Sequence, residues 1–327
     1  MSELHKFLFD GLPVRGIVVR LTDAWAEILR RRASNTQNGA YDDPVMQLLG
    51  ELTAAAVLMQ SNIKFDGALV MQIVGDGPVK LAVVEVQADL GLRATATVRE
   101  QVPVGTRLSA MVNVGNGGRC AITLDPKGRM PGQQAYQGVV PLHGEHGEKL
   151  EQLNEVLQHY MLQSEQLDTT LVLAANESVA AGLLIQRLPM RGAGNLAGAS
   201  GSDEDEIGRN EHYNRIAMLA SSLTREELLT LGVDAILHRL FWQEDVLRFA
   251  PGDDDVRPHF ACGCSREKVG AMIVGLGEEE AVSILAERAD IEVGCEFCGQ
   301  QYHFDPIDAA QLFRPASVKP DIGSNPH

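Results

Sequence analysis

The 327-residue chain is 45% hydrophobic and 22% charged, the composition of a globular protein long enough for two domains and a connection. Its net charge of −16 argues against nucleic acid and membrane as partners, because both are held by clustered Lys and Arg. MSELHKFLFDGLPVRG shows no basic-then-apolar leader pattern, and the longest apolar runs, such as AAAVLM at 54–59, are too short to span a bilayer, so the expected compartment is the cytoplasm.

Residues 1–189 read as one α+β domain. Short alternating or apolar runs predict strands at VRGIVVRL (14–21), ALVMQIV (68–74), KLAVVEV (80–86), LRATATV (92–98), RCAITL (119–124), YQGVVPL (136–142), TTLVLA (169–174) and GLLIQRL (182–188). Asp66-Gly67 and GDGP at 75–78 are turn signals between them. PVMQLLGELTAAAVLMQSNI (44–63) is apolar on most faces and predicts a buried helix. Leu150, Leu153, Val156, Leu157, Tyr160 and Met161 form a helical stripe over 148–164. Strands that follow one another without intervening helices imply a mainly antiparallel sheet.

Residues 190–257 read as a linker. MRGAGNLAGASGSDEDE (190–206) is rich in Gly, Ser and acid, and it cannot bury enough apolar surface to offset its conformational entropy, so it is expected to be mobile. A helical part follows. Thr224 and Glu227 fit a capping box, and Leu228, Leu231, Ile236, Leu237, Leu240 and Phe241 form an apolar stripe behind it. PGDDDVRP (251–258) marks a second break. A small module is expected over 258–314, with Ser265 capping a short helix and GEEEAVSILAER (277–288) making another. Residues 315–327 read as a disordered tail.

That module holds four of the five cysteines, as Cys262-x-Cys264 and Cys295-x-x-Cys298 with 30 residues between the pairs. Two close pairs brought together by a loop make a tetrahedral thiolate site. Soft thiolates select zinc or an iron–sulfur centre, and two helices with no further cysteine nearby favour one Zn2+. His259 and His303 flank the cluster but are not needed once four thiols are present. Cys120, alone in a strand, reads as a small buried hydrophobe. A structural zinc site is the plain reading. The tight C-x-C spacing and the redox-prone C-x-x-C point further, toward a site that oxidation can dismantle. Structural zinc contributes on the order of 10–16 kcal/mol to such small units, so losing the ligands would unfold the module and loosen the neighbouring apolar linker.

The cluster CGCSREKV…CEFC followed by GQQYHF, the linker TREELLTLGVDAILHRLFWQEDV, and FLFDGLPVRG, IKFDGALVMQIVGDGPVKLAVVEV, YQGVVPL and YMLQSEQL together resemble the heat shock protein 33 family of bacterial redox-regulated holdase chaperones. The resemblance spans nearly the whole chain. It implies that Cys262, Cys264, Cys295 and Cys298 bind one zinc ion in the reduced, inactive form. It also implies that oxidation pairs Cys262 with Cys264 and Cys295 with Cys298, releases zinc, unfolds module and linker, and favours a homodimer. The activated form would bind unfolded client proteins without ATP and hand them to ATP-dependent foldase chaperones. The apolar linker stripe is the candidate client surface.

Other readings are weaker. VGNGGR (114–119) and GDGPVK (75–80) lack the Gly-Lys-Ser/Thr or G-x-G-x-x-G of a phosphate loop and read as turns, so no enzyme is expected. A thiol oxidoreductase would need a thioredoxin-like βαβ context, which is missing. A nucleic-acid zinc ribbon conflicts with 11 acidic and 5 basic residues over 258–327. A constitutive protein-interaction module with purely structural zinc is the remaining alternative.

Overall fold

The computed structural model describes residues 1–35, 39–128, 134–144, 146–188, 203–249 and 256–314. Most of the expected mobile linker (190–202), much of the second break (251–255) and the expected tail (315–327) lie outside the described residues. Contacts divide the chain into two units, Met1–Ala261 and Cys262–His327.

The first unit runs β1 (Glu3–Phe9), β2 (Val14–Leu21), α1 (Asp23–Ala33), α2 (Asp43–Asn62), β3 (Gly67–Val74), β4 (Val79–Gln87), β5 (Gly91–Val98), α3 (Leu108–Val112), β6 (Arg119–Pro126), β7 (Tyr136–Pro141), α4 (Leu153–Glu165), β8 (Thr169–Ala175), β9 (Ala180–Arg187), α5 (Asp203–Ser221), α6 (Arg225–Thr230), α7 (Val233–Phe241), β10 (Val246–Arg248) and β11 (His259–Phe260). The strands form a five-stranded sheet, ordered β10-β1-β2-β9-β8, and a six-stranded sheet, ordered β11-β5-β4-β3-β6-β7. Of these pairings only β11 with β5 is parallel. The α+β class with antiparallel sheets is therefore as the sequence implies.

Helix α2 touches both sheets. Its side chains are apolar on most faces, so most of it must be buried. Leu49, Leu52 and Leu58 are fully buried in a core shared with Ile17 and Val19 of β2, Met71 and Ile73 of β3, and Val84 and Val86 of β4. Each such leucine contributes about 1.5–3 kcal/mol by leaving water. Strands β2 and β9 are apolar on both faces for a second reason. Ile17, Val19 and Leu184 face this core, while Val14, Val18, Ala181, Leu183 and Ile185 face the opposite way. Something must cover that outer face, and α5, α6 and α7 do so.

Two boundaries differ from expectation. The helix expected from 148 begins at Leu153, because Gln152 and Glu155 close a reciprocal capping box there and His143 pairs with Lys149 in a turn before it. Residues 203–206, expected to be mobile, open α5.

The second unit contains α8 (Arg266–Leu276), α9 (Glu278–Glu287), β12 (Ile291–Gly294), β13 (Gln301–Phe304) and α10 (Pro306–Leu312). Among its described residues the buried hydrophobic ones are Ile273, Ala281, Ile291, Phe304 and Ala309, with seven partly buried hydrophobic residues packed against them. A core this thin leaves a small unit marginal without a cross-link.

Candidate metal centre

Two loops of the second unit carry the thiols. The first precedes α8. Ser265 caps that helix, its hydroxyl accepting from the Lys268 N–H, and the Lys268 ammonium turns back to donate to the Gly263 carbonyl at 2.6 Å. These bonds fix the backbone around Cys262 and Cys264. The second loop is the tip of the β12–β13 hairpin. The Cys295 N–H donates to the Gln300 carbonyl and the Gly299 N–H to the Cys295 carbonyl, so the chain reverses within Cys295–Gln300. Gly299 has φ +74°, a backbone state that a side chain disfavours, and this is why glycine follows the second pair.

The four sulfurs come together within 4.8 Å of one another. Cys262 Sγ lies 3.7 Å from Cys295 Sγ and Cys264 Sγ lies 3.3 Å from Cys298 Sγ, far beyond a disulfide bond. A tetrahedron of sulfurs about 2.3 Å from a central Zn2+ has edges near 3.8 Å, so the donor set fits zinc in number, chemistry and spacing. The Tyr302 hydroxyl donates to Cys264 Sγ at 3.1 Å. Burial opposes ionisation of Cys264, but the hydrogen bonds from Tyr302 and the neighbouring thiols outweigh it and bring this thiol down to about 7. Burial pushes Cys298 well above the usual thiol range and also raises Cys295, with charge repulsion among the sulfurs adding to both. Four thiolates at these separations therefore call for a compensating cation.

The flanking histidines are elsewhere. His259 sits on β11 in the first unit, its Nδ1 3.0 Å from the Arg257 carbonyl. His303 on β13 turns to Asp290 at 3.0 Å and Glu292 at 3.3 Å. Cys120 is fully buried in β6, where burial lifts its thiol to about 12. Thiol spacing gives no hint of Tyr302. The alternation in QYHF is the available signal, since it puts Tyr302 and Phe304 on the same side of the hairpin.

The apolar stripe expected from Leu228 to Phe241 lies against the outer face of the five-stranded sheet. Leu228, Ile236, Leu237, Leu240 and Phe241 are buried there, and Leu231 is half-buried at the margin. Phe241 meets Phe9 edge-on at 4.9 Å between ring centres and lies 6.1 Å from Phe7. Thr224 and Glu227 form the expected capping box of α6. Arg20 of β2 donates to the Leu228 and Leu229 carbonyls at 2.6 and 3.1 Å, satisfying groups at the end of that short helix. Arg225 reaches Glu51 of α2 at 2.9 Å and the Ala175 carbonyl.

The Hsp33 protein family profile matches residues 2–305. The chain belongs to the Hsp33 family. A 33 kDa chaperonin of Chromobacterium violaceum is 43% identical over 312 residues, covering 95% of this chain and 94% of the relative. A 33 kDa chaperonin of Methylobacillus flagellatus is 42% identical over 320 residues, covering 98% and 97%. The crystal structure of a 33 kDa chaperonin from Thermotoga maritima superposes with a TM-score of 0.69 at 19% identity, covering 94% of this chain and 97% of that one, and so shares the fold. Among the described residues no helix is long and apolar enough to cross a membrane.

Proposed function

We propose that this Hsp33-family protein is a redox-regulated, ATP-independent holdase of the cytoplasm that binds unfolding client proteins under oxidative stress, and that it is not an enzyme. The observation that carries this reading is the pairing of two features. Four mutually close thiols stand in a unit with five buried hydrophobic residues among those described, and the preceding helices cover an apolar sheet face. In the reduced form Cys262, Cys264, Cys295 and Cys298 would hold one Zn2+, which supplies a structural cross-link. Oxidation would join Cys262 to Cys264 and Cys295 to Cys298. Each new S–S bond forms as a zinc-bound thiolate pair gives up two electrons, which with two protons from solvent reduce one equivalent of hydrogen peroxide to two waters. No four-thiolate donor set then remains, and the thin core cannot hold the unit folded.

In this reading the chain is organised as a domain over 1–189, a linker over 190–257, a switch module over 258–314 and a tail over 315–327. Unfolding of the module would free the linker stripe, Leu228, Leu231, Ile236, Leu237, Leu240 and Phe241, and the sheet face beneath it. Apolar surface bounded by acidic charge suits capture of unfolded chains while keeping the complex soluble. Activation would favour a homodimer, and clients would pass to ATP-dependent foldases.

The test is light scattering from a thermally unfolding client. Suppression by the oxidised, zinc-free protein and not by the reduced, zinc-loaded protein is the expected outcome. Equal behaviour of the two forms would instead support a constitutive interaction module with structural zinc.

A further inference from the structure

Strand β5 would be an open edge of the six-stranded sheet were it not closed by the two residues of β11. The His259 N–H donates to the Leu90 carbonyl at 3.2 Å and the Ala261 N–H to the Leu92 carbonyl at 2.9 Å. The parallel register aims the Leu92 N–H at the His259 carbonyl. Further along the same edge the Ala96 N–H donates to the Tyr41 hydroxyl at 2.8 Å. Each blocker carries an aromatic ring held by α1. The Arg31 guanidinium lies 4.5 Å from the Phe260 ring centre, and that of Arg32 lies 4.2 Å from the Tyr41 ring centre. Phe260 also packs, partly buried, on the main core.

The two blockers differ in permanence. Tyr41 leads directly into α2. β11 is two residues long and ends at Phe260, with only Ala261 between it and Cys262 of the thiol cluster. A strand this short belongs to the low-stability end of a fold and depends on the anchorage of its neighbours in the chain. Gly91 makes room for it, since a Cβ there would stand 3.0 Å from the Ala261 Cβ. The edge is therefore shaped to accept an extended segment with an aromatic side chain beside Arg31.

We propose that the β5 edge from Leu90 to Ala94, with the Phe260 berth under Arg31, is a docking site for an extended, aromatic-bearing stretch of unfolded polypeptide, and that His259–Ala261 occupies it as a placeholder in the reduced chain. This rests on the holdase reading. Exposed sheet edges recruit extended chains through backbone hydrogen bonds, which read no sequence, while one side-chain berth supplies preference. A chaperone that takes many clients needs that combination.

Amide hydrogen exchange on the full-length protein tests this, with reduced, carboxymethylated lysozyme as the permanently unfolded client. In the reduced, zinc-loaded protein the Leu92 amide is protected. Oxidation removes that protection, and bound client restores it, while the Ala96 amide on Tyr41 stays protected throughout. Gly91→Val, which fills the seat, lowers client capture by the oxidised protein. Leu92 protection that survives oxidation, or that stays lost in a client complex shown by light scattering to have formed, overturns the docking site and leaves the holdase reading standing. Protection regained with protein concentration alone assigns the edge to a second copy and overturns it equally. Failure to capture client at all removes both readings.

Discussion

At the scale of single residues, Glu51 and Arg225 are the most consequential pair outside the thiols. Burial raises the Glu51 carboxyl from its ordinary 4.5 to about 7, and the Arg225 guanidinium at 2.9 Å opposes but does not cancel that rise. A carboxyl raised on folding binds its proton more tightly in the docked state. The stability it lends is complete below about pH 4.5 and is lost as the pH rises through 7. Glu51→Gln keeps an acceptor for Arg225 and removes the buried charge. Chemical denaturation should find this variant more stable than the wild type by about 1–3 kcal/mol at pH 8, with the gap closing toward pH 4.5. A gap that is flat with pH, or of opposite sign, would show that Arg225 fully compensates the carboxylate.

At the scale of elements, helices α6 and α7 cover one face of the five-stranded sheet. Ile236 is fully buried and Phe241 nearly so, and Phe241 sits against two other rings. Truncating a buried aromatic such as Phe241 to alanine costs about 3–5 kcal/mol where the gap cannot collapse. Phe241→Ala should therefore raise hydrophobic-dye fluorescence of the reduced, zinc-loaded protein and, once oxidised, hold less client. Unchanged fluorescence and capture would mean that this ring neither holds the cover nor takes part in binding. Much of this layer is legible in the sequence. VRGIVVRL and GLLIQRL are apolar in both phases of the strand period, which already demands a layer on each face, and the stripe from Leu228 to Phe241 supplies one. The eight expected strands and α2 stand where alternation and turns place them. β1 and α1 do not emerge that way. ELHKFLF interrupts its alternation with Lys6 between His5 and Phe7, and DAWAEILRRRA buries only Ala24, Trp25 and Ile28, a stripe too short to stand out. β10 and β11 are three and two residues long and exist through their partners alone, so no local pattern marks them.

At the scale of the whole molecule, the two units draw on different sources of stability. The first has two large clusters of buried hydrophobic residues. Among its described residues the second gathers five buried hydrophobic residues and four clustered sulfurs. Chelation of the metal under reducing conditions should therefore erase exchange protection in α8, α9 and the β12–β13 hairpin while the strands of the first unit keep theirs. Retained protection in the second unit after metal removal would show that its core suffices. The thiol cluster is readable from spacing because ligand chemistry is local in sequence; the β5 edge is not, because it joins Leu90–Leu92 to His259–Ala261 across the length of the first unit.

The sulfurs that meet at 3.7 and 3.3 Å join one pair to the other, Cys262 with Cys295 and Cys264 with Cys298. Bonds formed along those contacts would close rings of 34 and 35 residues, whereas bonds within the pairs close rings of three and four. In the chain-entropy picture the large rings would restrict the unfolded chain by about 4 kcal/mol and the small ones by under about 2 kcal/mol. The same four thiols can thus act in opposite directions. Crosswise bonding would staple the unit shut in the oxidised state, and pairwise bonding would leave its unfolded chain almost as free as before. If the site responds to oxidant as proposed, the direction of that response would be set by which neighbour each sulfur reaches first, so oxidation kinetics as well as equilibrium would decide it.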